Sequence, residues 1–528
     1  MIPVRDIVVT ARFLSRLPAF LRKPVSTTEA RAIIRRRLAR READFLALLR
    51  RAVYAHPASP YRALLRLAGC EYGDLERLVV QDGVESALRM LYRDGVYLTV
   101  EEFKGRRSVI RNGVTIPVDP WQLQNPDSAA HLSAQSSGSR GPRTPVSLDL
   151  VWVADEAVNR GVTLAARGDR PPRLAYWDVP GGTLYPLLAY AKCGAPPLRW
   201  FSPVDPAAPD LHPRYRWSAR AIRWASRIAG APLPRAEHVP VSDPLPIARW
   251  MASVLETGGI PFLLTYSSPA VRLCQAALAA GLNLRGAELR LYGEPITPAR
   301  LAVIRRAGAE ALPLYVATEA GRIGDACLAP GASDEVHLFH DLHALIQPGA
   351  DGSRPGLPPH ALLLSSIRSR VPLVLLNVSM GDQAVVEERS CGCPLEDVGW
   401  TTHLHTIRSY EKLTAGGMTF LDTDLITVLE EMLPIRFGGA PTDYQLVEEE
   451  TADGQPRVRL LVDPRVGPLD SRAVAEAFLT AISQGSGVER VMGLAWRDAD
   501  LLRVERRTPL TTSSGKILHL HQVPREIS

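Results

Sequence analysis

Apolar positions along the chain fall into helix-spaced stripes and short alternating runs. Over residues 27–53, Ile33, Ile34, Leu38, Phe45, Leu46 and Leu49 recur at helical spacing behind a possible cap at Thr27 or Thr28. An amphipathic helix is expected there, with Arg35, Arg36 and Arg37 on its solvated face. His56-Pro57-Ala58-Ser59-Pro60-Tyr61 interrupts that spacing, which resumes over 63–69 and 84–92. The run 148–153 reads as extended. Beyond it, helical stretches at 273–281 and 298–307 alternate with apolar runs at 288–291 and 311–316. Such alternation predicts an α/β domain with a mixed, mainly parallel sheet. Residues 206–245, rich in Pro, Arg and Trp, read as an irregular insertion.

The last hundred residues follow another pattern. A helix is expected over 422–432, opening on Asp422. Strands at 444–448 and 458–462 precede a helix at 471–484 and strand-like runs at 489–495 and 502–506. This is the signature of a small α+β domain. The change falls at Arg408-Ser409-Tyr410-Glu411, so a large domain, 1–407, and a small mobile domain, 408–528, are expected.

Composition narrows the class. The 528 residues are 46% apolar and 22% charged, ordinary values for a soluble globular protein. A net charge of +6 is mild and dispersed, which argues against nucleic acid as a partner. No run reaches the roughly 20 apolar residues that span a bilayer. Residues 1–23 mix Arg with apolar positions and lack a clean apolar core, which argues against a signal peptide. Six cysteines in this length do not make a disulfide scaffold, so a reduced, cytoplasmic setting is expected.

Only five of the 62 basic residues are lysine: Lys23, Lys104, Lys192, Lys412 and Lys516. A chain so biased to Arg has a reason to keep the compact ammonium of Lys. Lys516 stands in Thr511-Thr512-Ser513-Ser514-Gly515-Lys516-Ile517, where it could deliver charge to a reacting phosphate. Four other segments carry possible chemistry. Ser136-Ser137-Gly138-Ser139-Arg140-Gly141-Pro142-Arg143 is small and polar enough to close around phosphate oxygens. Tyr315-Val316-Ala317-Thr318-Glu319 ends an apolar strand, where Thr can meet a phosphate and Glu can hold Mg²⁺. Gly381-Asp382 follows a second apolar segment, and its carboxylate suits ribose hydroxyls. Arg408 precedes the composition change. Taken singly, each also reads as a loop, a cap or a turn.

Taken in order, these segments resemble the adenylate-forming superfamily of acyl-CoA synthetases, peptide-synthetase adenylation domains and luciferases. The resemblance runs from about residue 56 to 520. Gly293-Glu294-Pro295-Ile296-Thr297, Cys391-Gly392-Cys393 and His56-Pro57-Ala58-Ser59-Pro60-Tyr61 are most similar to its phenylacetate–CoA ligase branch. The resemblance implies a large α/β nucleotide-binding domain and a small C-terminal lid. It implies that Ser137, Gly138, Ser139, Gly141 and Arg143 cradle the ATP phosphates. Gly293, Glu294 and Pro295 would line the adenine pocket, and Tyr315 would stack on the base. Thr318 would contact the α-phosphate, Glu319 would hold Mg²⁺, and Asp382 and Arg408 would grip the ribose. Lys516 would bridge the carboxylate and α-phosphate. Gly417, in the Gly416-Gly417 turn, would approach the acyl centre in a second, thioester-forming state.

Three positions depart from the family pattern. Arg143 or Thr144 falls near the usual loop Lys, Val316 replaces a Gly, and Tyr410-Glu411 occupies the hinge. Cys391 and Cys393, with Cys327 and either His337 or His340, would suit tetrahedral Zn²⁺. The expected reaction is ATP- and Mg²⁺-dependent activation of a small carboxylic acid, then transfer to coenzyme A. Transfer to the phosphopantetheine of a separate carrier protein stays open, as do a homodimer and a non-catalytic relative that keeps only the fold. A nicotinamide oxidoreductase would need a Gly-x-Gly-x-x-Gly that Gly138-Ser139-Arg140-Gly141 does not supply.

Overall fold

Local capping chemistry sets where the first elements begin. In this computed structural model Ser26 accepts the Glu29 N–H, so the helix Thr27–Ala39 starts on a Ser cap one residue before the expected Thr. The single helix expected to 53 is divided at Arg40 into Thr27–Ala39 and Arg41–Leu49, followed by a wider turn, Arg50–Tyr54. The structure describes residues 4–128, 132–135, 145–168, 170–179, 184–205, 213–410, 412–415, 418–450, 456–483, 496, 502–512 and 514–522.

The chain divides into two units. One holds residues 1–238, 262–264 and 312–407, the other residues 239–261, 265–311 and 408–528. In the first unit the strands Arg173–Trp177, Arg199–Ser202 and Ala236–His238 pair in parallel. A second series is antiparallel: Glu310–Ala317 pairs with Gly321–Ala326, which pairs with Val336–Leu338, which pairs with Thr402–Ser409. His343–Ile346, Ala361–Ser366 and Val378–Glu388 continue in antiparallel pairs. The α/β expectation holds, with a large mixed sheet whose second series is antiparallel where a mainly parallel one was expected.

Two other expectations give way. Of residues 148–153 only Leu148 is in a strand, the end of Pro145–Leu148: Asp149 accepts the Trp152 N–H at 2.7 Å and caps the helix Leu150–Ala165. Its apolar run is continuous because eleven of the helix's sixteen residues are buried, and that hides a helical period. The stretch 206–245, expected to be irregular, contains the helix Pro213–Ile228 and the strand Ala236–His238.

In the second unit the C-terminal part follows the sequence closely. Tyr444–Glu450 and Pro456–Val462 form an antiparallel pair. Leu502–Arg506 and Leu520–Gln522 flank it in parallel. The helix Ser471–Ile482, capped by Asp470, buries Val474 and Phe478 with Leu446, Leu460 and Leu502. Strand-like residues 489–495 lie outside the described residues. Among the described residues, no helix is long and apolar enough to cross a membrane.

Candidate active site

The C-terminal lysine is carried on a tight, self-bonded turn. Gly515 adopts φ +86°, which a side chain would resist. The Thr512 N–H donates to the Lys516 carbonyl at 2.9 Å, and the Thr512 hydroxyl accepts the Lys516 N–H at 3.1 Å. Buried Gln445 staples this loop to the small sheet. Its amide oxygen accepts the Leu510 N–H at 2.6 Å, and its NH₂ donates to the Leu510 and Leu518 carbonyls at 3.0 and 2.8 Å.

The Thr-Ser-Gly-Lys string thus becomes a rigid mount for one ammonium. Lys516 Nζ lies 3.1 Å from the Gly293 carbonyl oxygen and 4.6 Å from the Tyr266 ring centre. Gly293 itself has φ +71°, and a Cβ there would sit 3.0 Å from Lys516 Nζ and 3.0 Å from Tyr266. Close approach of the lysine therefore requires glycine. Two sequence-predicted features, 223 residues apart, meet in one place.

The neighbouring residues are buried and paired. The Glu294 carboxylate accepts from the Ser268 N–H and hydroxyl at 2.8–2.9 Å and lies 3.6 Å from Arg300. It is committed to holding the segment, while Gly293 offers its carbonyl. Pro295 O accepts from Arg300, and Ile296 O accepts from Arg408, each at 3.4 Å. Arg300 also donates to Glu430 at 2.8 Å, and Glu430 accepts from the Thr297 hydroxyl at 2.5 Å and contacts His519 Nε2 at 2.7 Å. Burial pushes the Glu430 carboxyl up, but Arg300 and the His519 and Thr297 hydrogen bonds outweigh it and bring it down to about 2.

In the first unit the strand Glu310–Ala317 delivers Tyr315, then turns at Thr318-Glu319-Ala320 directly into Gly321–Ala326. The ladder slips between Tyr315 and Val316. Such a bulge sharpens the twist and re-aims the side chains beyond it. Thr318 is exposed, Glu319 is buried, and the Tyr315 hydroxyl donates to Asp382 at 3.0 Å. Asp382 sits within the strand Val378–Glu388, where a turn was the alternative. The base of the hairpin is fixed from below: Glu156 accepts the Arg322 N–H at 3.1 Å, and Gly321, at φ +78°, lies against Trp152 and Glu156 where any Cβ would collide.

Among the solved structures similar to this chain, 2-hydroxyisobutyryl-CoA ligase, in the postadenylation state with R3-HIB-AMP, aligns over 96% of this chain and 91% of its own. The identity is 14% and the TM-score 0.50. The chain shares the fold of that CoA ligase. Weaker likenesses include an anthranilate CoA ligase with anthranoyl-AMP, at 12% identity over 73% of this chain and 65% of its own, TM-score 0.42. Another is O-succinylbenzoate coenzyme A synthetase from Bacillus subtilis with ATP and magnesium ion, at 13% identity over 75% of this chain and 70% of its own, TM-score 0.39.

 No family model matches the sequence, and no curated protein matches it.

Within this fold the described residues place the predicted site in two groups. Gly293, Glu294, Pro295, Arg408 and Lys516 come together in the second unit. Tyr315, Thr318, Glu319 and Asp382 lie on one hairpin and its bonded strand in the first. Ser137, Gly138, Ser139, Gly141, Arg143 and Gly417 lie outside the described residues. Sequence reasoning missed Ser268, Arg300, Glu430, Gln445 and His519. No local pattern in the sequence marks any of them.

The first unit also gathers Cys327, His337, Cys391 and Cys393, whose ligand atoms all lie within 4.8 Å of one another. His337 Nε2 is 3.2 Å from Cys393 Sγ and 3.7 Å from Cys391 Sγ, and its Nδ1 is 2.7 Å from the Trp400 carbonyl. That carbonyl can accept a hydrogen bond from Nδ1–H and leave the Nε2 lone pair facing the sulfurs, as a metal-ligating His requires. His340, the alternative ligand, is engaged with Thr402 instead. Nearby Glu335 is taken by Arg389 and by the Gly331 and Ala332 N–H groups. Three sulfurs and one imidazole fit a tetrahedral Zn²⁺.

Proposed function

We propose that the chain is an AMP-forming acid–thiol ligase that activates a small carboxylic acid as its acyl-adenylate and transfers the acyl group to coenzyme A. The observation that carries this reading is the meeting of Lys516 with Gly293 on a fold shared with an acyl-CoA ligase. A carboxylate attacking an α-phosphate brings two anions together. An ammonium held on a stapled turn offsets that repulsion without reorganising during the reaction. Thr318, exposed at the hairpin turn, would meet the phosphate, and Asp382, oriented by Tyr315, would hold the ribose. Bound Mg²⁺, with Glu319 as its protein ligand, would neutralise charge as pyrophosphate leaves.

In this reading Ser137, Gly138, Ser139, Gly141 and Arg143 cradle the phosphates, and residues 408–528 act as the lid that carries Lys516 in and out. Gly417 then serves the thioester-forming state. The branch is that of the phenylacetate–CoA ligases, and Cys327, His337, Cys391 and Cys393 hold a structural Zn²⁺.

A panel of benzoate, phenylacetate and octanoate, scored by pyrophosphate release with and without coenzyme A, tests the reaction. Lys516→Ala should cut adenylate formation by about 10²- to 10³-fold, the loss typical of one charge-stabilising group. Undiminished release in that variant would remove the role given to Lys516. Product forming only when a pantetheinylated carrier replaces free coenzyme A would shift the acceptor to a carrier protein.

A further inference from the structure

The helix Ser267–Ala279 turns one face to the lysine-bearing part of its own unit. Ser268 and Arg272, four residues apart, share that face. Ser268 is fully buried, and its hydroxyl oxygen accepts the Ile517 N–H at 2.9 Å while its proton goes to Glu294. The neighbour of Lys516 is thus bonded to the helix through a single hydroxyl. One turn later, Arg272 Nη1 lies 3.0 Å from Asp463 and 3.1 Å from Asp443, and Nη2 donates to the Thr442 carbonyl. All three charged residues are buried. Arg465 adds a second cation at 3.2 Å from both carboxylates.

We infer that Ser268 and Arg272 form a two-point catch that positions Lys516. Ser268 sets the height of the lysine turn through Ile517, and Arg272 holds the sheet on which that turn is mounted. Both are positioning residues. The Lys516 ammonium itself meets Gly293 and Tyr266. The inference rests on the ligase reading for its catalytic consequence, because only adenylate formation needs the lysine in place. A buried Ser hydroxyl that both accepts and donates cannot be replaced by Ala without leaving the Ile517 N–H unpaired. A buried Arg between two carboxylates is likewise held only while both partners are present.

The test uses the full chain in wild-type, Ser268→Ala, Ser268→Thr and Arg272→Lys forms. Acid-dependent ATP–pyrophosphate exchange should fall at least about five-fold in Ser268→Ala, the scale of one buried hydrogen bond. Thioester formation from supplied acyl-adenylate and coenzyme A should stay within about two-fold, because it does not use the lysine. Ser268→Thr, which keeps the hydroxyl, should recover most of the exchange. Equal losses in both half-reactions, or unchanged exchange, would overturn the catch.

A second readout is independent of activity. Acetic anhydride labelling, read by mass spectrometry, should modify Lys516 faster relative to Lys412 in Ser268→Ala and Arg272→Lys than in wild type. Unchanged labelling would overturn the catch even if no acid in the panel reacts. Absence of exchange in wild type with altered labelling would instead count against the ligase reading alone.

Discussion

Two buried polar clusters, one in each unit, solve opposite problems. Around Glu430, every charge meets a counter-charge from the protein: Arg300, His519 and the Thr297 hydroxyl complete the carboxylate. Around His337, three thiols and an imidazole nitrogen converge, and burial pushes the Cys327 and Cys391 thiols up. The first cluster closes on itself. The second brings sulfur and nitrogen lone pairs toward a common point that a cation would fit. A network that is self-sufficient stabilises a segment, whereas one that is not marks a ligand.

The largest expected effect comes from opening the closed cluster. Glu430→Ala leaves buried Arg300 without its nearer carboxylate and should cost about 3–5 kcal/mol in denaturant unfolding. Arg300→Met combined with Glu430→Leu should recover much of that loss, and an equal or greater loss would show that the pair itself supplies stability. The converging cluster should respond to metal removal. Elemental analysis should find one zinc per chain, and chelation or Cys393→Ser should lower stability by about 2–4 kcal/mol at saturating metal. A metal-free chain of unchanged stability would reduce the cluster to packed thiols.

A smaller effect is expected at the lysine pocket. Gly293→Ala places a Cβ at φ +71° beside Lys516 and should cost about 1–2 kcal/mol. Its exchange activity should fall further than its stability, because the displaced group is the ammonium.

The smallest effect is on pH dependence, and it too separates the units. Burial, with Arg41 beside it, brings His340 down to about 4 from 6.5. The unfolded chain therefore binds more protons between those values, and stability present above pH 6.5 is lost as pH falls toward 4. Glu430, brought down from 4.5 to about 2, contributes stability above pH 4.5 that is lost only as pH falls toward 2. Melting temperature should start to decline below pH 6.5, and His340→Gln should flatten that first segment by on the order of 1 kcal/mol.

Strand and helix identity was legible wherever one face is solvated. The strand Leu502–Arg506 and the helix Pro298–Arg306 fall where their apolar spacing puts them. The helix Leu150–Ala165 was misread because it is buried nearly all round, and a period needs a polar face to be seen. Among chemical groups, the rare Lys516, Gly293 and the three cysteines stood out by residue type and order.

Residue order along the chain was enough to single out a lysine turn, a Thr-Glu pair at a strand's end and a thiol set, because such side chains have few uses in an ordinary core. Which atoms meet was decided only by folding. Ser268 reaches Ile517 across 249 residues, and Arg300 reaches Glu430 across 130. Those pairings depend on where helices and strands pack, and no local spacing encodes a distance through space.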